Sequence, residues 1–189
     1  GLAGAYNHNV IKLAEAEMGK GGDNVVFPIG ISGKHYFLKH AGFGAVDPEF
    51  AYGALEPTRW RARDLMEEVV KRYREGQLDE VYIIYTKMRN AISMDAEMLR
   101  VLPLSKHMFD YEEDPGTFTH TYLPSPQIVL EQIVPNYAIG LLYGAMIEAY
   151  ASEQNARMTA MDNATSNAEE IIKDLTLLYN RVRQAAITT

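Results

Sequence analysis

The sequence from Met158 to Ala186 reads MTAMDNATSNAEEIIKDLTLLYNRVRQAA and contains a heptad repeat. Its nine repeat positions are spaced alternately three and four residues apart: Met158, Met161, Thr165, Ala168, Ile172, Leu175, Tyr179, Val182 and Ala186. This seam predicts a helix that winds a left-handed coiled coil with a partner. Because the seam mixes Met, Thr, Ala and Tyr instead of alternating Ile or Val with Leu, we expect an unlike partner helix at close approach.

A long helix is predicted from residue 125 to the end of the chain. Only Pro135 opposes a helix strongly there, and Gly140 and Gly144 cost about 1 kcal/mol each. The roughly fifty residues after Pro135 would span about 80 Å, more than a domain of this size can enclose. A helix inside an ordinary bundle is the alternative, but the sequence shows no second long helix. We therefore expect one domain over 1–124 and a protruding helix over 125–189.

The first 124 residues have the strand pattern of an α/β domain. Strands are expected near 24–30, 80–86 and 94–104, where short β-prone runs occur. The run EVYIIYT at 80–86 is nearly all β-branched or aromatic, which is typical of a strand covered on both faces. A helix directly before this strand indicates a parallel, layered sheet.

Helices are predicted over 7–18, 32–40 and 57–76 from the spacing of apolar residues. Their expected first residues or caps are Asn7 or Asn9, Ser32 and Pro57. The third helix carries an apolar stripe formed by Trp60, Leu65, Met66, Val69, Val70 and Tyr73. Between these elements we expect an irregular loop over 42–56, an acidic loop over 110–116 and a short extended segment over 117–123.

Composition excludes several functional classes. The 189 residues carry a net charge of -7 and no cysteine. The acidic balance argues against nucleic-acid binding, and the lack of cysteine excludes disulfides, thiolate metal sites and a cysteine nucleophile. No run of ~18 apolar residues is available to insert directly into a membrane. Because the chain begins GLAG without a methionine, we expect a fragment or a processed product.

Candidate catalytic motifs do not meet the spacing that their chemistry needs. The sequence GISGKH at 30–35 has neither the glycine spacing nor the Ser or Thr after lysine that a phosphate-binding loop requires. His35 and His40 are five residues apart, not the four that place two metal ligands on one helix face. Ser152 and Ser166 have no neighbouring base. We therefore expect no cofactor, no metal and no catalysis by this chain alone.

Several stretches resemble the gamma subunits of F-type rotary ATP synthases. The similarity is longest at 152–168 (SEQNARMTAMDNATSNA) and 179–188 (YNRVRQAAIT), and it includes GLAGAYN at 1–7, DEVY at 79–82 and LPL at 102–104. The resemblance implies a Rossmann-like layered α/β domain beside an antiparallel coiled coil of the N- and C-terminal helices. It also implies that an N-terminal helix and a first strand are missing here. The absence of a cysteine-bearing insertion favours a bacterial enzyme over a plastid one.

The resemblance further implies a rotor, the central stalk that couples proton or sodium flow to ATP synthesis or hydrolysis in a ring of alpha and beta catalytic subunits. Residues matching the family's contacts with a beta subunit are Arg183, Gln184 and Thr188. Other expected stalk contacts are Arg157, Asn163 and Asn167. Tyr85, Lys87 and the segment 94–104 are expected to meet the epsilon subunit or the membrane c-ring.

The implied location is peripheral, on the cytoplasmic face of the bacterial plasma membrane. Two other functions stay open from the sequence. One is a Rossmann-like small-molecule enzyme with a helical dimerisation arm, and the other is a coiled-coil scaffold protein.

Overall fold

The structure is a computed structural model, and it describes residues 2–40, 45–47, 56–90, 93–104, 123 and 125–188. Within these ranges the chain forms helices α1–α4 and strands β1–β4. In chain order they are α1 Tyr6–Met18, β1 Val25–Val26, α2 Ile31–Lys39, β2 Ala45–Val46, α3 Arg59–Arg74, β3 Val81–Met88, β4 Met94–Leu102 and α4 Pro126–Thr188. The acidic loop predicted at 110–116 and all but Leu123 of the extended segment at 117–123 lie outside the described residues.

Strands β3 and β4 form an antiparallel hairpin, with Ile83 opposite Leu99 and Thr86 opposite Ala96. The parallel arrangement predicted for this strand is therefore wrong within the described residues. A connection as short as 89–93 permits only antiparallel pairing, because a parallel pair needs a long crossover. The prediction that β3 is covered on both faces is also wrong, since Tyr82 is 42% exposed and only Thr86 of the strand is fully buried.

The second pair of strands is short and parallel. β1 pairs with β2, and the Asp47 backbone N–H donates to the Val26 carbonyl. The loop predicted over 42–56 therefore contains a strand that two residues are too few to reveal by alternation. The Asp47 carboxylate lies 2.7 Å from the guanidinium of Arg72, which also lies over the Phe27 ring. These contacts fix the small sheet to α3.

Helices α1 and α2 begin without a side-chain cap. α1 starts at Tyr6, so the cap role predicted for Asn7 or Asn9 is wrong. α2 starts at Ile31, directly after Gly30, whose φ of 120° is open to glycine and strained for other residues. The cap role predicted for Ser32 is therefore also wrong.

Helix α3 begins with a cap that the sequence interpretation missed. The Thr58 side chain accepts a hydrogen bond from the Arg61 backbone N–H at 3.4 Å. Pro57 thus precedes the cap and is not in the first turn as predicted. Trp60, assigned above to the apolar stripe, is exposed.

The hydrophobic core joins α3, the end of β4 and the first half of α4. Its buried members are Ala62, Leu65, Met66, Val69, Val70, Val101, Leu102, Ala138, Ile139 and Leu142. Because α4 supplies three of them, the division predicted between residues 124 and 125 does not separate two packing units. Instead, the first half of α4 packs in the core, and its second half extends away from the core.

Helix α4 is continuous over 63 residues, about 95 Å at ~1.5 Å per residue, and it passes through Pro135. Proline lacks the N–H that would bond to the carbonyl four residues earlier, which is that of Glu131. Here the Arg74 guanidinium at the end of α3 donates to the Glu131 carbonyl at 3.4 Å. A contact with α3 therefore satisfies the acceptor that Pro135 leaves open. At the start of the helix, the Ser125 hydroxyl accepts from the Ile128 N–H.

Candidate functional site

The heptad seam lies on an exposed face of the protruding half of α4. All nine seam residues are exposed, and Ile172 and Leu175 are 62% and 58% exposed. The core face of the helix ends at Ser152, the last buried residue of α4 in the described chain. Beyond it the helix has an apolar face with no described residues packed on it. Apolar surface of this length is typical of an interaction site.

This face continues through the first half of α4, which the sequence interpretation did not identify. The same alternation of three and four residues runs backward through Gln154, Ala151, Ile147, Gly144, Gly140, Tyr137, Ile133 and Leu130. All of these are exposed except the half-buried Tyr137. The repeat is hard to recognise in this part of the sequence, because glycine and glutamine occupy heptad positions that usually carry large apolar residues. We name the whole set, from Leu130 to Ala186, the α4 outer face.

Two hydrogen bonds join α4 to α1 and β3 at the point where the protruding half of α4 begins. The Ser152 hydroxyl donates to the Thr86 carbonyl at 3.3 Å, and the Tyr6 hydroxyl donates to the Ala149 carbonyl at 3.0 Å. Burial, and then the charge of Glu153, raise the pKa of Tyr6 to about 12. These bonds join α1 and β3 to α4 and fix the direction in which the helix leaves the domain.

The predicted beta-subunit contacts lie together near the end of α4. Arg183, Gln184 and Thr188 are all exposed. The Thr188 hydroxyl donates to the Gln184 carbonyl at 2.6 Å, so it can offer only its lone pairs to another molecule. Residues 184 and 188 are one turn apart and share a face, which lies beside the seam.

The side chains of the other predicted stalk contacts differ in exposure and in the hydrogen bonds that they form within the chain. Arg157 is half-buried and donates to Glu153 and Gln154 of its own helix at 2.7 Å each. Asn163 and Asn167 are exposed. Asn163 lines a cleft of about 270 Å³ between α4, the start of α1 and the β3–β4 hairpin.

The predicted epsilon or ring contacts belong to a charged cluster on the hairpin. The Lys87 ammonium lies 3.3 Å from the Glu97 carboxylate, which also contacts Arg89. Burial, and then the nearby charge of Glu148, raise the pKa of Tyr85. The segment predicted at 94–104 contains β4, Met94–Leu102, and supplies Glu97 to this cluster.

The described residues show no arrangement of metal ligands. Within the described ranges, no three His, Asp or Glu side chains come together as a metal-binding group. The sequence at 30–35 forms the start of α2. None of the helices in the described ranges combines the length and apolar character that crossing a bilayer requires.

Comparison with known proteins gives a consistent result over the whole chain. Residues 1–189 match the family model described as ATP synthase. The ATP synthase gamma chain of Ruminiclostridium cellulolyticum is 44% identical over 193 residues, which include 100% of this chain and 65% of that protein. The sodium ion specific ATP synthase gamma chain of Acetobacterium woodii is 38% identical over 204 residues, with 100% of this chain and 67% of that protein covered. The chain thus spans about two thirds of the length of these curated relatives.

Solved structures show a similar fold at much lower identity. A chain in the Euglena gracilis mitochondrial ATP synthase, in a structure of its OSCP, F1 and c-ring, aligns with a TM-score of 0.64 at 15% identity, covering 100% of this chain and 65% of that one. A chain in the central stalk and c-ring of the Tetrahymena thermophila mitochondrial ATP synthase aligns with a TM-score of 0.63 at 20% identity, covering 87% of this chain and 71% of that one. At such identities the likeness concerns the fold.

Proposed function

The chain belongs to the gamma-chain family of the ATP synthase, and from this premise we propose that it acts as the central-stalk rotor of an F-type enzyme. In this role it couples the flow of protons or sodium ions across the membrane to ATP synthesis or hydrolysis. The observation that carries the proposal is the combination of family membership with the α4 outer face, an exposed apolar face on a helix about 95 Å long.

The partner of the α4 outer face is an N-terminal helix of the same subunit, which lies antiparallel to α4 in a coiled coil. The unbroken heptad spacing from Leu130 to Ala186 supports this, because a partner helix can stay in register along the whole face. Gly140 and Gly144 have no atom within 4 Å of where a side chain would begin, so a second helix can approach closely there. With a first strand added, the strands of residues 1–124 become part of a Rossmann-like layered domain, whose core the first half of α4 completes.

Catalysis belongs to the surrounding alpha and beta subunits, and this subunit changes their nucleotide affinity by contact. A ligand or partner shifts a conformational equilibrium only through contacts that differ between the states. As the rotor turns, Arg183, Gln184 and Thr188 meet a loop of one beta subunit after another, with Asn163 and Asn167 as further contacts. The Arg157 guanidinium has fewer N–H donors for a partner, because it already donates to Glu153 and Gln154.

The hairpin β3–β4 faces the membrane end of the assembly. Tyr85, Lys87 and the neighbouring part of β4 contact the epsilon subunit or the c-ring through the charged cluster around Glu97. The subunit is then peripheral to the bacterial plasma membrane, on its cytoplasmic face. The coupling ion is a proton or a sodium ion, and one relative is named sodium ion specific.

The two alternatives make different demands on the chain. A Rossmann-like enzyme needs convergent acid, base and phosphate-binding groups, and the sequence at 30–35 lacks the glycine spacing of a phosphate-binding loop. A self-contained coiled-coil scaffold needs no ATPase partner. Neither alternative draws support from the family match.

The experiment is a purification followed by a binding titration. A tagged gamma chain of the relatives' full length that contains these 189 residues should co-purify with alpha and beta subunits and with ATPase activity. The isolated 189-residue chain should neither hydrolyse ATP nor bind MgATP, because its glycines lack the spacing of a phosphate cradle. Micromolar MgATP binding in titration calorimetry, or a tagged protein free of ATPase partners, would contradict the proposal.

A further inference from the structure

Among the described residues, four polar contacts hold α4 to the rest of the domain where the protruding half of the helix begins. Two of them are the hydroxyl bonds described above. In the third, the Met88 backbone N–H donates to the Glu148 carboxylate at 3.3 Å. In the fourth, the Asn155 amide lies 3.9 Å from the sulfur of Met94, a weak acceptor. We name this segment the α4 joint, defined by its four positions on the helix: Glu148, Ala149, Ser152 and Asn155.

The α4 joint is compact and lies on one side of the helix. At 3.6 residues per turn, its four residues fall within an arc of about 120° and span about 11 Å along the axis. The contacts come from three elements, α1, β3 and β4, which all approach this side of α4. The domain therefore holds the helix at one level from several directions.

The contacts of the α4 joint differ in kind from those of the core beside it. Ala138, Ile139 and Leu142 of α4 are buried in the apolar cluster with α3. Apolar association is non-directional, so it opposes separation of the helix from the domain more than it opposes rotation about the helix axis. Hydrogen bonds weaken steeply when the donor and the acceptor leave a straight line. A twist of α4 about its own axis therefore strains the bonds of the joint first.

The elements that contact the α4 joint are themselves fixed in the domain. β3 and β4 pair with each other from Val81 to Met88. α1 packs on both strands, and the Tyr36 hydroxyl of α2 donates to Glu15 of α1 at 2.7 Å. A twist at the joint is therefore passed to the hairpin and to two helices, not to a single loop.

The α4 joint is separate from the α4 outer face. Its residues point on average about 120° away from the nearest heptad positions, which are Ile147, Ala151 and Gln154. A partner helix on the outer face therefore leaves the four contacts in place.

We propose that torque passes between the domain and the protruding half of α4 through the α4 joint, with Tyr6 and Ser152 as its positioning residues. The proposal rests on the rotor function proposed above. A rotor does work only if its two ends turn together, and the joint keeps the domain and the helix at a fixed angle under load. Both hydroxyls donate to backbone carbonyls within the chain, so these residues act by positioning the helix.

Thermal twisting of the assembled rotor tests this proposal. A full-length gamma chain carrying Gln77→Cys is assembled with alpha and beta subunits fixed to a surface, and a bead on the cysteine reports the angle of the domain while rotation is paused without MgATP. Tyr6→Phe with Ser152→Ala removes two of the four contacts. We expect the angular variance of the bead to rise about twofold, because half of the directional restraints on the twist are lost. A variance equal to the parent's would overturn the proposal.

Matched controls remove the same atoms from other positions on α4. Tyr150→Phe deletes the hydroxyl of a 38% exposed side chain next to Ala149, and Ser166→Ala deletes an exposed hydroxyl in the protruding half. The variant with both control changes should keep the parent's variance. A rise as large as that of the joint variant would show that the effect is not specific to the joint and would overturn the proposal.

The single variants keep the proposal testable where the double variant assembles poorly. Tyr6→Phe keeps the aromatic ring and loses one bond, so its variance should lie between those of the parent and the double variant. Its unloaded ATP hydrolysis should match the parent's, because free rotation demands little torque. A merely structural defect would lower assembly and hydrolysis together and leave the variance of the assembled complexes unchanged, and that result would overturn the proposal.

Failure of the joint and failure of the rotor function give different results. A parent bead that never turns with MgATP would contradict the rotor function, and the joint with it. A parent bead that turns, together with a Tyr6→Phe, Ser152→Ala variant of unchanged variance, would contradict the joint alone.

Discussion

A Leu65→Ala variant is expected to lower the free energy of unfolding by about 2–5 kcal/mol, through loss of buried apolar surface and formation of a cavity. Leu65 is 1% exposed and belongs to the core cluster that joins α3, β4 and α4. Urea denaturation measures the change, with an unchanged slope showing that cooperativity is kept. The effect should be large because, among the described residues, this cluster is the hydrophobic core that joins α3 to α4.

The matched control is Trp60→Ala on the same helix. Trp60 is 73% exposed, and its ring contacts the guanidinium of Arg63 at 5.5 Å. Loss of this exposed cation–π contact should cost about 1 kcal/mol or less. If Trp60→Ala destabilised the chain as much as Leu65→Ala, the core described here would be wrong.

This pair of residues also shows what helical spacing predicts and what it does not. The spacing identified Leu65, Met66, Val69 and Val70, and all four are buried. Trp60 belongs to the predicted stripe, but it lies two residues before the buried Ala62 and so points about 200° away from it at 3.6 residues per turn. The small Ala62 was overlooked, since only its position in the period marks it as a core residue.

The hairpin illustrates a second limit of the sequence. The composition of residues 80–86 predicted a strand, and β3 is there. An apolar strand does not specify the direction of its partner, and the short connection at 89–93 was the more informative signal. Thr58 was likewise hidden as a cap, because the proline beside it suggested a different start for α3.

Part of the candidate site could be predicted from the sequence pattern, and part of it only from the family resemblance. The heptad seam from Met158 to Ala186 follows from spacing alone, and its exposure agrees with the protruding helix predicted above, whereas the continuation of this face back to Leu130 was not predicted. The roles of Arg183, Gln184 and Thr188 came only from family resemblance, because exposure and charge do not distinguish them from other residues near the helix end. Their role is therefore a proposal that needs a functional measurement.

Replacing Arg183 with alanine is expected to slow the assembled ATP synthase while leaving the subunit folded. A charge-assisted hydrogen bond from its guanidinium to an acidic partner loop is typically worth about 1.5–3 kcal/mol. If the contact forms at a rate-limiting rotary angle, its loss lowers turnover on the order of ten- to a hundredfold. ATP hydrolysis and ion-driven synthesis are measured in the reconstituted enzyme that carries the variant in a full-length gamma chain.

The control for this variant is Lys173→Ala, which also removes one exposed charge from α4. Lys173 lies ten residues earlier, about 15 Å along the helix, and outside the predicted contact. Its activity should match that of the parent, and both variants should assemble and keep the parent's circular dichroism. Unchanged turnover in both Arg183→Ala and Gln184→Ala would remove these residues from the coupling mechanism.

Direct observation of rotation tests the central claim, that this chain is the moving shaft of the enzyme. Because these 189 residues contain no cysteine, a Gln77→Cys variant adds a single attachment point to this part of the subunit, at an exposed position after α3. In a full-length gamma chain assembled with alpha and beta subunits fixed to a surface, a bead on this cysteine should turn continuously in one direction while MgATP is hydrolysed. A bead that stays still while the same complexes hydrolyse ATP would contradict the account.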